Sequence, residues 1–281
     1  MRHLRKLPLM LLLIFSVFGC TEINNIENEE EVNNKWTSKT QVFKQIKNYE
    51  FIFPDKGYAY EKRDSLVQEC MTAIEKNMKL VEVDTFNVPY KIVFYPSKAA
   101  MKDDLNYGVS GSANYWTKKV ALVSTDNRET IKKENIVSVP IKHELMHMIA
   151  TELWGPSENS SWLNEGLATY AANNCNGYSV AEIYKYLFTQ EMLIPIDSLV
   201  NDFYATDEMI GYHQSAYIVQ YLIEHYGVEK FSRLWKEGFT SFEEVYKIPF
   251  SEMESSIITE LQEKLPNSIE IDWENFKKGC K

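Results

Sequence analysis

Five residues near the middle of the chain form a pattern that can hold a metal ion. The run His143-Glu144-Leu145-Met146-His147 places two histidines four positions apart, and apolar residues recur through 139–153 at the spacing of a helix. On a helix, positions i and i+4 share a face, so the two imidazoles can take two corners of a zinc tetrahedron. Glu144 lies about 100° round the helix from His143. From there it can accept a proton from a metal-bound water rather than bind the metal.

The third ligand is expected from a second helix. A catalytic zinc takes three protein ligands and keeps a fourth position open, and Glu165 is the best candidate for the third. Gly155-Pro156 ends the first helix, and Ser160 or Ser161 can cap the next. A helix, a turn and a returning helix would bring Glu165 back to His147. The alternative interpretation is a chance string of two core histidines and an acid, expected in about one chain of this length per hundred.

The sequence around these residues resembles the gluzincin metallopeptidases, in particular the small bacterial relatives of the M1 aminopeptidases. H-E-L-M-H at 143–147 is followed by W-L-N-E-G-L-A-T-Y at 162–170. The resemblance implies an α+β, thermolysin-like catalytic domain with a small sheet lobe, an edge strand and a mainly helical C-terminal lobe. It also implies a zinc ion, and it assigns the roles of four residues: His143, His147 and Glu165 as ligands, and Glu144 as general base.

One segment departs from the M1 aminopeptidases. Gly111–Tyr115 falls near the place where those enzymes carry G-x-M-E-N, and the Glu that grips the free amine of the substrate is missing. In such metallopeptidases an edge strand beside the metal-binding helix pairs with an extended substrate. Gly108 and Gly111 indicate a loop here, or a strand that another backbone approaches closely. The departure favours an endopeptidase that acts on peptides or proteins.

A later helix is expected to complete the site. The run from Gly211 to Tyr226 has an apolar face and is closed by Gly227. In the related enzymes this helix passes the catalytic centre and contributes a tyrosine, whose hydroxyl can donate a hydrogen bond to the oxyanion. Tyr212 matches that place best, and His213 is the second candidate. A packed tyrosine or a surface histidine is the alternative interpretation.

Two other side chains are candidates for hydrogen bonds to a ligand imidazole. Thr169 lies one turn after Glu165, and Asn164 lies directly before it. Such partners fix the orientation of a metal-binding ring. For Thr169, a helix-surface position is the plainer interpretation.

The N-terminus has the composition of a targeting segment. Three basic residues among the first six precede an apolar run, 7–18, that is too short to span a bilayer. The run leads to Gly19-Cys20, which resembles a bacterial lipobox and implies lipidation of the Cys20 thiol. We therefore expect a signal peptide over 1–19, a disordered acidic tether over 20–35, and a lipid-anchored, extracytoplasmic protein of the bacterial cell envelope. Ordinary secretion and an N-terminal membrane anchor are the alternatives.

The rest of the chain is expected to form one domain over 36–281, with a sheet-containing lobe to about 134 and a helical lobe from about 135. Without the signal peptide, 27 basic side chains face 40 acidic ones, a net charge of −13. This charge argues against nucleic-acid partners and against electrostatic attachment to anionic lipid. Cys70, Cys175 and Cys280 allow at most one disulfide, and its pairing is open.

Three functions are compatible with these features. A zinc endopeptidase uses every residue of the pattern. A zinc-containing binding or structural lipoprotein without activity would keep the ligands but would have no need of Glu144. A solute-binding or adhesion lipoprotein without metal would require the whole 143–165 pattern to be accidental. The intact Glu144 therefore favours the enzyme.

Overall fold

The computed structural model describes residues 40–157 and 160–280. The expected signal peptide, the tether and Cys20 lie outside the described residues. Within these residues, five strands form one sheet, and the chain after the last strand is mainly helical. This architecture confirms the expected α+β class, with a small sheet and a mostly helical remainder.

The sheet has parallel strands at its centre and antiparallel strands at its edges. The strands are β1 (Thr40–Ile46), β2 (Tyr49–Pro54), β3 (Tyr90–Tyr95), β4 (Gly111–Asn114) and β5 (Lys119–Val123), in the order β1-β2-β3-β5-β4. β3 pairs in parallel with β2 and β5, whereas β1 and β4 pair antiparallel with their neighbours. Central parallel strands are covered on both faces, and β3 is accordingly buried except at Lys91. The sequence pattern does not predict β1, whose run mixes polar and apolar residues.

The helices carry most of the remaining chain. They are α1 (Tyr58–Glu61), α2 (Arg63–Leu80), α3 (Lys98–Leu105), α4 (Arg128–Glu134), α5 (Ile141–Trp154), α6 (Ser161–Ala172), α7 (Val180–Thr189), α8 (Ile196–Asn201), α9 (Glu208–Glu237), α10 (Phe242–Tyr246), α11 (Phe250–Lys264) and α12 (Trp273–Phe276). Short 3₁₀ turns lie at Phe203–Ala205 and Phe239–Ser241. Among the described residues, no helix combines the length and the apolar composition needed to cross a bilayer.

The principal core lies between one face of the sheet and the helices α2, α5, α6 and α9. Its fully buried members include Phe94 and Leu122 from the sheet, Leu145 from α5, Leu167 from α6 and Leu222 from α9. A smaller apolar cluster covers the opposite face of the sheet. The two helices that carry the metal-binding pattern therefore lie inside the packed interior rather than on a mobile surface.

The end of α5 and the start of α6 lie where the sequence predicts them, with one exception in the capping of α6. Gly155 ends α5 with φ 86°, a conformation that favours glycine. Ser160 stands at the start of α6, but its side chain makes no capping hydrogen bond within the described part of the chain. Further along α6, a Cβ on Gly166 would lie 2.9 Å from the carbonyl carbon of Ser215. The small residue therefore lets α6 and α9 approach closely.

One disulfide is present among the described cysteines. It joins Cys175, which follows α6, to Cys280 near the C-terminus. Cys70 is buried on α2 as a free thiol, and burial raises its pKa above the ordinary value. The pairing left open by the sequence is thus Cys175 with Cys280, and it joins the C-terminal segment to the turn that follows α6.

Candidate active site

Helices α5 and α6 bring together three side-chain atoms that could bind a metal ion. Nε2 of His143 lies 3.0 Å from Nε2 of His147, and Oε2 of Glu165 lies 3.2 and 3.4 Å from these two nitrogens. Donor atoms bound to tetrahedral zinc at about 2.0–2.1 Å are about 3.3 Å from one another. The three residues predicted from the sequence therefore form a triangle of the size that zinc requires.

Asn164 fixes the orientation of one imidazole. Nδ1 of His147 donates a hydrogen bond to Oδ1 of Asn164, at 2.7 Å. In the neutral imidazole Nδ1 then carries the proton, and the lone pair of Nε2 is directed toward the other two donor atoms. No hydrogen bond joins Thr169 to either imidazole within 40–157 and 160–280. Of the two candidate partners, the structure brings only Asn164 to a ligand.

Glu144 lies beside the three donor atoms and against the edge strand. The residue is 6% exposed. A Cβ on Gly111 of β4 would lie 2.8 Å from Oε1 of Glu144, so strand and carboxylate are in close contact. Burial raises the pKa of Glu144, although the neighbouring charges of His143 and His147 oppose the shift. A raised pKa moves a carboxylate toward the range in which a general base works well near neutral pH.

The structure separates the two candidates for the oxyanion donor. The ring of Tyr212 stacks on that of His143, with centroids 6.3 Å apart. His213 is buried on another face of α9, where Nδ1 donates to the carbonyl of Met209 at 2.7 Å. One of its ring nitrogens lies within 4.8 Å of the sulfur atoms of the disulfide described above. Tyr212 is therefore the candidate that lies next to His143.

A family model described as the peptidase MA superfamily matches residues 71–248, which is more than half of the chain. The chain belongs to the peptidase MA superfamily. The matched range contains every site residue described above. Membership of the superfamily supports metallopeptidase activity, and the His-Glu triangle is a possible metal-binding group consistent with it.

A solved structure shows a more distant similarity. It is the crystal structure of an aminopeptidase N family protein from Idiomarina loihiensis, which is 15% identical to this chain with a TM-score of 0.37. The alignment covers 78% of this chain and 46% of that one. This peptidase MA chain therefore spans less than half the length of the matched structure. No curated protein matches the chain.

The electrostatics of this peptidase MA site favour the ionised form of the Glu165 carboxylate. Burial alone would raise the pKa of Glu165 and lower that of His147, but their mutual attraction and hydrogen bonding outweigh burial. The pKa of Glu165 consequently lies below its ordinary value, and that of His147 is raised to about 9. Because a metal-bound imidazole is neutral, His147 must release its proton when a metal enters.

Tyr204 also contacts the site, although no sequence pattern indicates it. Its hydroxyl donates a hydrogen bond to Oε1 of Glu165, at 3.3 Å. Tyr204 stands 39 positions after Glu165 in a short turn, and no spacing or periodicity marks it. At Gly111 the sequence predicts a loop or the close approach of another backbone; the structure places a strand there, and the nearest atoms belong to the side chains of Pro140 and Glu144.

Replacing Gly111 by Ala should impair catalysis through Glu144. The new Cβ would lie 2.5 Å from Cγ of Pro140 and 2.8 Å from Oε1 of Glu144, so strand and carboxylate must shift apart. A displacement of about 1 Å at a catalytic group can reduce the rate about a hundredfold. The measurement is kcat/KM for peptide hydrolysis with metal content determined on the same sample. Ser112→Ala is the control, because Ser112 lies on the same strand and its hydroxyl contacts Tyr107. Equal kcat/KM values for Gly111→Ala and the wild type would contradict the prediction that close packing at Gly111 positions Glu144 for catalysis.

Proposed function

We propose that the chain is a zinc-dependent endopeptidase of gluzincin type. The observation that carries the proposal is the triangle of donor atoms from His143, His147 and Glu165, 3.0–3.4 Å apart, with the buried carboxylate of Glu144 beside it. Three ligands leave a fourth position open, as a catalytic zinc requires. The peptidase MA family match supports peptide hydrolysis as the reaction.

The residues divide the chemistry among them. His143, His147 and Glu165 would hold the ion, and zinc, when bound, supplies the Lewis acidity that activates water and polarises a carbonyl. Glu144 accepts a proton from the water that attacks the peptide carbonyl carbon. It then passes that proton to the leaving nitrogen as the C–N bond breaks. The hydroxyl of Tyr212 donates to the oxygen on which negative charge develops.

The edge strand supports cleavage within a peptide rather than at its N-terminus. β4 stands at the end of the described sheet, pairs with β5 and packs against α5. Its four residues, Gly111–Asn114, include no carboxylate that would bind a free amine. Asn114 is turned toward its own hairpin, because Oδ1 accepts the backbone N–H of Thr117 at 2.9 Å. An extended peptide pairing with this strand would therefore not be limited to a terminal residue.

We further propose that the protein works outside the cytoplasm, attached to the cell envelope through lipid on Cys20. The leader sequence supports this location, and the disulfide between Cys175 and Cys280 suits an oxidising compartment. Fractionation of cells that make the full chain tests the proposal. Recovery of the protein in the cytoplasm would contradict it.

The function is tested by metal content and cleavage on one preparation. We expect about one zinc per chain, together with cleavage of a quenched-fluorescence peptide library that stops on chelation and returns with zinc. The cut positions, read by mass spectrometry, should lie inside the peptides. Zinc without cleavage would favour the catalytically inactive zinc-containing lipoprotein. Absence of zinc would overturn the metal site itself.

A further inference from the structure

The carboxylate of Glu165 has different partners on its two oxygens. Oε2 faces the two imidazoles, whereas Oε1 accepts a hydrogen bond from the hydroxyl of Tyr204 at 3.3 Å. Glu165 is 3% exposed, but Tyr204 is 43% exposed. The tyrosine therefore covers this ligand from the solvent side.

The turn that carries Tyr204 is packed against the start of α9. Phe203 is buried, and its ring centroid lies 5.3 Å from that of Tyr204 and 5.2 Å from that of Tyr212. Thr206 closes the turn by donating from Oγ1 to the carbonyl of Phe203, at 2.7 Å. A Cβ on Gly211 would lie 2.6 Å from the same Oγ1. The turn and the first residues of α9 therefore form one packed unit that holds Tyr204 in place.

We propose that Tyr204 is a positioning residue for the zinc ligand Glu165. The inference rests on the proposed function, since it requires that Glu165 bind zinc. A hydrogen bond to Oε1 restrains rotation of the carboxylate and keeps Oε2 directed at the metal position. Glu165 then binds through one oxygen, and less conformational entropy is lost when the metal enters. The hydrogen-bond donor belongs to the 203–205 turn, which packs against Tyr212. The same turn therefore also sets the orientation of the Glu165 carboxylate.

Tyr204→Phe removes the hydroxyl and keeps the ring. We expect the zinc Kd to rise about tenfold or more, because partners of metal ligands typically contribute 10–100-fold to affinity. The Kd is measured on the full chain by competition with a chromophoric zinc chelator at fixed pH. Tyr60→Phe is the matched control, since Tyr60 is also a partly exposed tyrosine but lies on α1, which packs against β2. Thermal melting of the metal-free variants verifies that each one folds.

A second comparison shows whether Tyr204 acts through Glu165. In a Glu165→Ala background we expect the two histidines to bind zinc only weakly, with too little affinity to retain it on purification, and there Tyr204→Phe should not raise the Kd further. The proposal is overturned if Tyr204→Phe binds zinc as tightly as the wild type. It is also overturned if the variant weakens binding equally in both backgrounds. Zinc binding by the wild-type chain confirms the metal site independently of either result. A wild-type chain that binds no zinc would contradict both the proposed function and the proposed role of Tyr204.

Discussion

Glu144→Gln should slow peptide hydrolysis by about 10²- to 10⁴-fold, the usual contribution of a general base. The substitution keeps the size of the side chain but removes the group that accepts the proton. Zinc should remain bound, because the three donor atoms that form the triangle belong to other residues. The fold should also persist, since Glu144 is a buried carboxylate whose charged form is disfavoured by its surroundings. The measurements are kcat at saturating substrate and zinc per chain.

Glu152→Gln is the matched control for this variant. Glu152 lies on the same helix, where its carboxylate accepts hydrogen bonds from Tyr90 and Lys118 at the far end from the ligands. We expect it to leave kcat within about twofold of the wild type, as for other changes away from the reacting atoms. A wild-type rate for Glu144→Gln would remove Glu144 from the mechanism. Loss of zinc in Glu144→Gln would instead give it a structural role.

The metal triangle could be predicted because its information is local. The spacing of His143 and His147 fixes their common face once the segment is helical, and the absence of glycine and proline within α5 permits that helix. Glu165 needed one further inference, that α6 returns alongside α5. Gly155 and the apolar faces of both helices predict this return, because buried faces of consecutive helices pack against each other.

The rest of the site depends on contacts between distant parts of the chain. Tyr212 and His213 are neighbours in sequence, and only the direction from which α9 meets α5 decides which ring lies beside His143. Tyr204 reaches Glu165 through a turn whose position follows from the packing of Phe203 and Gly211. Neither spacing nor composition encodes such a contact. Charge, periodicity and turn residues identify helices, but they do not specify how the helices are oriented relative to one another.

His147→Ala should abolish zinc binding and hydrolysis together. The change removes one of three donor atoms and leaves Oδ1 of Asn164 without its imidazole partner. It also leaves the buried carboxylate of Glu165 with one imidazole, and breaking a buried pair of this kind costs about 3–5 kcal/mol. We therefore expect zinc content near zero, no measurable cleavage and a lower melting temperature of the metal-free protein. In the wild type, His147 makes the largest contribution to the lowered pKa of Glu165. In the variant the pKa of Glu165 should therefore rise toward its ordinary value.

His225→Ala controls for loss of a histidine as such. His225 is partly exposed and forms an ion pair with Glu260. Exposed ion pairs contribute little to stability. The variant should keep wild-type zinc content and activity. Undiminished zinc in His147→Ala would show that the metal binds elsewhere.

Taken with Glu144→Gln, the expected pattern is specific: one variant loses the rate and keeps the metal, and the other loses both. A structural zinc site would show no dependence on Glu144, and a metal-free enzyme would show no zinc in any variant, so only a base acting beside a catalytic metal produces both results.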